Sequence, residues 1–479
     1  MSVLDLNKPH HKYFNDLCMI PHGSYNEAKL ADYLVKFATD RNLEYVRDGM
    51  NNVVIYKKAT AGYENAKPLL LQAHVDMVCE ANKSTDFNFE TDSLKLVVKD
   101  GWLEAEGTTL GADDGHGVAY MLAILDDENL PHPDLECCFT VQEEVGLFGA
   151  LGLDPNLFKA RRMVSLDGGG EVSTAISSAG GVLVESVIDV TKMANTNPTY
   201  KLFVTGLSGG HSGGEIHKEK GNANKLVVRI LKEMTLAGVC VNLVSLEGGL
   251  KDNAIPRECE AVFTSCSSVE EINKSLAASI KNIETELEFS DAGFKCTCDT
   301  INTVTTCMDD ASTTKVLNYI YLIPNGFMAR SMAIEGLTLT SLNNGIIRTN
   351  KDAVVLTTSI RSAIESGIDN LINTIFTLAS LFGIKCTTSA RYPGWNYKAV
   401  SPMRELLDKV VMKNNGENLK CIATHGGCEC GVFAAMSDEM DILTYGPITE
   451  FIHTPDERMC LDSFDRSYKI LADLVTECK

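Results

Sequence analysis

The sequence predicts a mixed α/β domain interrupted by a smaller α+β domain, on three observations. Apolar strand-like runs alternate with amphipathic stretches in the first third of the chain, a β-β-α-β-β-α order fills the middle, and α/β features resume from about Lys385. At 479 residues the chain is too long for one ordinary hydrophobic core. The expected boundaries are 1–182 for the first part of the α/β domain, 183–385 for the insert and 386–479 for the second part.

Taking the elements in order, Ser24-Tyr25-Asn26-Glu27 has the form of a capping box, and Leu30, Ala31, Leu34 and Phe37 follow at helical spacing. Strands are predicted at 52–56 and 69–78, the second apolar on both faces as a buried strand requires. A helix is expected from near Gly115 to Leu125, then strands at 135–141 and 162–166. The middle reads as strands at 182–190 and 200–205, a helix at 222–236, strands at 239–246 and 254–264, and a helix at 269–287. A strand at 353–360 and a helix at 369–381 follow, and the chain ends in a helix near 464–477. No internal repeat or low-complexity tract is present.

Composition narrows the function class. Hydrophobic residues at 44% and charged residues at 22% are ordinary for a globular protein. A formal net charge of −21 repels a phosphate backbone, so nucleic acid is not an expected partner. The 16 cysteines form no disulfide framework. Cys137-Cys138 and Cys428-x-Cys430 lack a second pair at zinc-finger spacing, so the cysteines read as small buried groups in a reducing compartment. Met1-Ser2-Val3-Leu4-Asp5 begins no basic and then apolar leader, and no apolar run approaches the ~20 residues of a membrane span. The expectation is a cytosolic protein without a membrane partner, in which the N-x-[ST] matches at Asn82 and Asn273 are accidental.

Chemistry gathers at the ends of the predicted strands. His74-x-Asp76 ends the apolar run, Asp113 lies just before a helix, Glu143-Glu144 follows the 135–141 strand and Asp167 follows 162–166. Open α/β sheets place functional groups at the carboxyl ends of their strands. Singly, each residue reads as an ordinary polar group or solvated turn; jointly they read as a metal centre. Two divalent ions would be balanced by Asp113, Glu144, Asp167 and a hydroxide, with neutral His74 and the distant His453 completing one ligand set each. Such N/O donors suit Zn²⁺, with Mn²⁺ or Co²⁺ as alternatives.

These segments, with others, form an extended match. Gln72-Ala-His74-Val-Asp76, Gly107-Thr-Thr-Leu-Gly-Ala-Asp113, Glu143-Glu144, Gly209-Gly-His211-Ser-Gly-Gly-Glu215-Ile-His217, Asn253-Ala-Ile-Pro-Arg257, Tyr392-Pro-Gly-Trp395 and His453-Thr-Pro-Asp456-Glu457 span nearly the whole chain. The set resembles the co-catalytic zinc aminoacylase/carboxypeptidase metallopeptidases, and among them the cytosolic aminoacyl-histidine (Xaa-His) dipeptidases.

The resemblance implies that Asp113 bridges two metals, that His74 and Asp167 hold one, and that Glu144 and His453 hold the other. Asp76 would orient His74, and Glu143 would be the general base. His211 would stabilise the oxyanion, commonly at the partner subunit's site, which implies a homodimer through the inserted lid/dimerisation domain. Asn253 and Arg257 fit recognition of a substrate carboxylate. Arg361 reads as a weaker substrate contact or a structural group. Glu429, in a Gly-rich turn, would receive the substrate's amino group or merely mark a tight junction; His425 beside it is open in the same way. His217 and His116 receive no chemistry, and His10, His11, His22 and His132 read as surface or turn residues. The sequence departs from the family at Asp114, where relatives often carry Asn, and at Gly168-Gly169-Gly170, where they often carry polar residues; neither removes a ligand.

The implied activity is hydrolysis of Xaa-His (carnosine-like) and related dipeptides. A broader dipeptidase or an N-acyl amino acid deacylase on the same scaffold is the alternative. An inactive relative acting as a binding protein is disfavoured, because all five ligands and the base are retained.

Overall fold

A computed structural model describes residues 2–479. Internal contacts divide the chain into two compact units, 1–178 with 395–423 and 428–479, and 179–394 with 424–427.

The first unit is built on a six-stranded sheet in the order Glu44–Arg47, Val53–Lys57, Leu135–Thr140, Leu69–His74, Arg162–Ser165, Asp441–Thr444. The last four strands run parallel, and the first two pair antiparallel, so the sheet is mixed as expected. Leu69–His74 is buried at every position, as a central strand with both faces covered must be. The Ala112–Asp126 helix packs against it with an almost wholly apolar body, Val118 to Leu125. The edge strand Asp441–Thr444 comes from beyond the insert, so the parallel sheet is finished only by the C-terminal part.

The predicted capping box does not form. The helix is Ala28–Asp40 and has no side-chain cap. Ser24 Oγ instead donates to Asp76 Oδ2 at 2.7 Å, and the Glu27 carboxylate accepts from Gln142 N. Sequence reading also missed the Pro9–Cys18 helix and a small sheet of Thr449–Glu450, Arg458–Cys460, Trp102–Ala105 and Leu96–Lys99. Of the four histidines expected at the surface or in turns, none lies at the surface. His10, His11, His22 and His132 are all buried. His10 and His11 both contact Asp465 Oδ1, while His22 and His132 each direct Nδ1 at a backbone carbonyl.

The second unit carries a nine-stranded sheet with eight strands in the order Lys295–Ile301, Thr199–Thr205, Cys259–Thr264, Asn242–Gly248, Thr338–Thr349, Ala353–Ser362, Gly180–Asp189, Lys385–Tyr392, and a ninth, Gly326–Arg330, paired with Thr338–Thr349. Helices Ala223–Leu236, Val269–Glu286, Asp310–Leu322 and Glu365–Leu381 contribute to its own hydrophobic core. Asn222 caps the first of these through Lys225 N, and Ser268 with Glu271 forms a true capping box on the second. The strand expected over 254–264 splits in two. Ala254–Ile255 pairs with Gly210–His211, and Cys259–Thr264 joins the large sheet. Pro256 lies at the break, where it has no N–H to give a ladder, and the break turns Arg257 outward.

Candidate metal centre

Asp113 is the hub of the first unit's acidic cluster. Its Oδ1 lies 3.1 Å from His74 Nε2, and its Oδ2 lies 3.3 Å from His453 Nε2. His453 Nε2 is also 3.0 Å from Glu144 Oε1, a buried oxygen that accepts no hydrogen bond. Ligand atoms of His74, Asp113 and Glu144 fall within 4.8 Å of one another. His74 ends its strand, and Asp167 stands two residues past the end of Arg162–Ser165. Glu143 and Glu144 occupy the turn after Leu135–Thr140. Asp113 differs from the expectation of four strand ends: it sits in the first turn of the Ala112–Asp126 helix with non-helical backbone angles.

Neighbouring groups aim these side chains. His74 Nδ1 lies 2.9 Å from the backbone oxygen of Asp76 but 3.6 Å from its carboxylate. The carbonyl therefore fixes the imidazole and leaves Nε2 facing the cluster, as a ligating His requires. The Asp76 carboxylate instead accepts from Glu143 N at 2.9 Å, Glu144 N at 3.3 Å and Ser24 Oγ. It thereby orders the turn that carries both glutamates. Asp114 Oδ2 accepts from His74 N, and Oδ1 from Gly117 N.

The electrostatics call for a cation. Burial raises Glu143 well above the usual carboxylate range, and negative Asp167 adds to it. Burial, then Asp113, lifts Asp167 to about 7. Asp113 and then Glu144 draw His453 up to about 10. Burial pushes His74 down, yet Asp113 and Asp76 still hold it well above its ordinary value. Positive charge is thus strongly favoured where the two imidazoles meet Asp113. The donors also fit: ligand atoms sharing an ion at bonds of about 2.0–2.2 Å lie roughly 3 Å apart, the separations seen around Asp113.

Comparison with known proteins gives the family. The pattern of peptidase family M20/M25/M40 matches residues 70–477. The chain belongs to this family. It is 36% identical over 473 residues to the cytosol non-specific dipeptidase of Escherichia coli K12, covering 97% of this chain and 96% of that one. Its fold matches the crystal structure of the aminoacylhistidine dipeptidase of Vibrio alginolyticus with a TM-score of 0.92 and 33% identity, over 99% of this chain and 97% of that one. A Bacillus cereus aminopeptidase, PepT, shares the fold at 17% identity and a TM-score of 0.58, with all of both chains covered.

In this M20-family chain the second unit gathers its own set of groups. The Gly210–His211 and Ala254–Ile255 ladder brings His211, Asn253 and Arg257 to one open cleft of about 760 Å³. Gly209 and Gly210 both have positive φ, and a Cβ on Gly209 would strike Arg257 Cγ at 2.4 Å. Gly213 N and Gly214 N donate to His211 Nδ1 at 3.1 Å each. Nδ1 is therefore an acceptor, and the neutral ring carries its proton on Nε2. Burial and then Arg361 lower the His211 pKa, which keeps the ring neutral. Arg361 is buried, donates to Tyr392 Oη at 3.0 Å, and has no ion-paired carboxylate among the described residues. His425 Nε2 meets Ser341 Oγ at 2.8 Å.

Glu429 is not open to an incoming ammonium group. It is 0% exposed, and its Oε2 accepts from Gln72 Nε2 at 2.5 Å and Thr140 Oγ1 at 2.6 Å. Burial lifts its carboxyl to about 8. A folded pKa above the unfolded value costs stability as pH rises through that window. Wild-type, metal-free protein should therefore lose stability relative to Glu429→Gln between about pH 4.5 and 8, by on the order of 1.4 kcal/mol per pH unit. Thermal melts of both proteins in chelator across that range test it; parallel curves would refute the buried-acid assignment.

Proposed function

We propose that this chain hydrolyses dipeptides at a two-metal centre held by His74, Asp113, Glu144, Asp167 and His453, with Glu143 as general base. The observation that carries this reading is Asp113, whose two carboxylate oxygens face two different imidazoles. When bound, two divalent ions, zinc on this donor set or else Mn²⁺ or Co²⁺, supply Lewis acidity and lower the pKa of water toward ~7.

The chain's own residues do the rest. Glu143 takes the proton of the attacking water and returns it to the leaving amine. Asp76 holds the Glu143–Glu144 turn and, through its carbonyl, the His74 ring. The His211 Nε2–H donates to the oxyanion that forms at the scissile carbonyl. Asn253 and Arg257 clasp the substrate's terminal carboxylate, and Arg361 supports His211 from its buried position. Family resemblance further supports a cytosolic homodimer joined through the second unit. No helix among the described residues is long and apolar enough to cross a membrane.

Substrate breadth is the open choice within this reading. The Vibrio relative is named for aminoacylhistidine and the Escherichia coli one as non-specific. Xaa-His dipeptides, other dipeptides and N-acyl amino acids should be assayed on one metal-analysed preparation. Turnover of dipeptides is expected; cleavage of N-acyl amino acids alone would sink the proposal. Arg257→Ala should lose a charge-assisted contact of about 1.5–3 kcal/mol, roughly a 10–100-fold fall in kcat/KM. The loss should be smaller for substrates with an amidated C-terminus, and an equal loss for both would remove Arg257 from carboxylate recognition.

A further inference from the structure

Glu457 lies outside every role assigned so far, yet the residue is 2% exposed and both its carboxylate oxygens are engaged. Its Oε2 accepts from Leu110 N at 2.8 Å and Gly111 N at 3.0 Å; its Oε1 accepts from Ala112 N at 2.9 Å and Asp113 N at 3.3 Å. These consecutive amides lie in the turn that leads into the Ala112–Asp126 helix, where Asp113 and Asp114 keep non-helical backbone angles and the N-cap, Gly111, offers no side chain. Buried amides in such a turn need an acceptor from elsewhere in the chain. Here one carboxylate from the other end of the chain satisfies all four.

The same carboxylate stands four residues after His453. That turn is itself held in an uncommon shape: Phe451 and His453 both have positive φ, at 56° and 65°. Non-glycine residues stay there only where their surroundings dictate it. Arg458 supplies that constraint, its guanidinium 4.4 Å from the Trp102 ring and 5.3 Å from the Phe451 ring and paired with Glu450. Glu457 ties the Asp113 loop to one side of this clamp. Gly111 lets the loop pass, since it adopts φ 69° and a Cβ there would meet Met77 Sδ at 3.0 Å.

We infer that Glu457 is a positioning residue that sets the distance between Asp113 and His453, and thereby the metal affinity of the centre. The inference rests on the two-metal reading above. Glu457→Gln keeps size and shape but turns an NH₂ group toward amide donors that cannot accept from it. With Co²⁺ as probe, Glu457→Gln should bind roughly 10–100-fold more weakly than wild type in competition with a chelator, the scale typical of groups that orient ligands. Its visible cobalt spectrum should shift, while far-UV circular dichroism stays native. Glu457→Asp, which keeps the charge, should recover part of the affinity. Asp456→Asn, which removes the exposed neighbouring charge, should change nothing.

Wild-type affinity and spectrum in Glu457→Gln would overturn the inference, as would an equal loss in Asp456→Asn. If Glu457→Gln does not fold, the Glu457→Asp comparison decides: a wild-type cobalt spectrum and affinity there refute the inference, and a partial loss upholds it. Failure of the wild-type chain to bind cobalt at all would instead refute the metal centre itself.

Discussion

Glu143→Gln is expected to retain the metal content of the wild-type protein and to lose roughly 10²–10⁴-fold in turnover, the usual contribution of a positioned acid–base group. The argument starts from Asp76. Its carboxylate holds the amides of both Glu143 and Glu144, so the turn keeps its shape when only the Glu143 side chain changes. Glu144 meets His453 and Asp113 meets both imidazoles without any help from Glu143. Glutamine occupies the same volume but cannot take a proton from water. Burial, which raises the Glu143 carboxyl, makes it a better base than a solvent-exposed glutamate. Metal analysis and kcat on the same sample separate the roles: lost metal would make Glu143 a ligand, and normal turnover would end the assignment as base.

The second large effect is expected at His211. Removing one oxyanion donor costs about 10²–10³ in kcat in comparable sites, and His211→Ala should fall in that range with little change in KM. The tautomer supports the role, because the amides of Gly213 and Gly214 occupy Nδ1 and leave Nε2–H to donate. Mixing tests the homodimer at the same time. If His211 serves the partner subunit's site, an unfolded and refolded equal mixture of Glu143→Gln and His211→Ala chains contains heterodimers with one intact site. Activity should then return to about a quarter of wild type, as statistical pairing in a twofold dimer requires. No recovery would place His211 within its own chain's site or remove the dimer.

The parts of the centre differ in how readily a sequence shows them. His74 and Asp167 were legible because a buried parallel strand is a continuous apolar run, and the polar residue ending it stands out. The Glu143-Glu144 pair was legible for the same reason. Asp113 is legible through its motif just before a helix, but the remote carboxylate that fixes its backbone is not. Ser24 and Glu27 carry a capping signal that tertiary contacts override, since both side chains are recruited to hold Asp76 and Gln142. Glu457 was missed because its partners are backbone amides, which leave no trace in a pattern of side chains. Its only visible signal was an acidic residue in a motif already credited to His453. Strands such as Lys295–Ile301 escaped because Lys-Cys-Thr-Cys-Asp-Thr-Ile alternates weakly and is largely exposed or half-buried.

The strand order of the first unit has a consequence for how the protein is made. Arg162–Ser165 leaves the ribosome well before its outer neighbour, Asp441–Thr444, can emerge. At about 5–20 residues per second, the wait between Asp167 and His453 is on the order of tens of seconds. During that interval the nascent chain carries an acidic cluster lacking one imidazole and a parallel sheet with an open edge. On the two-metal reading, metal loading is then a late event in biogenesis. Chains released before His453 would carry an exposed edge that chaperones and proteases can recognise.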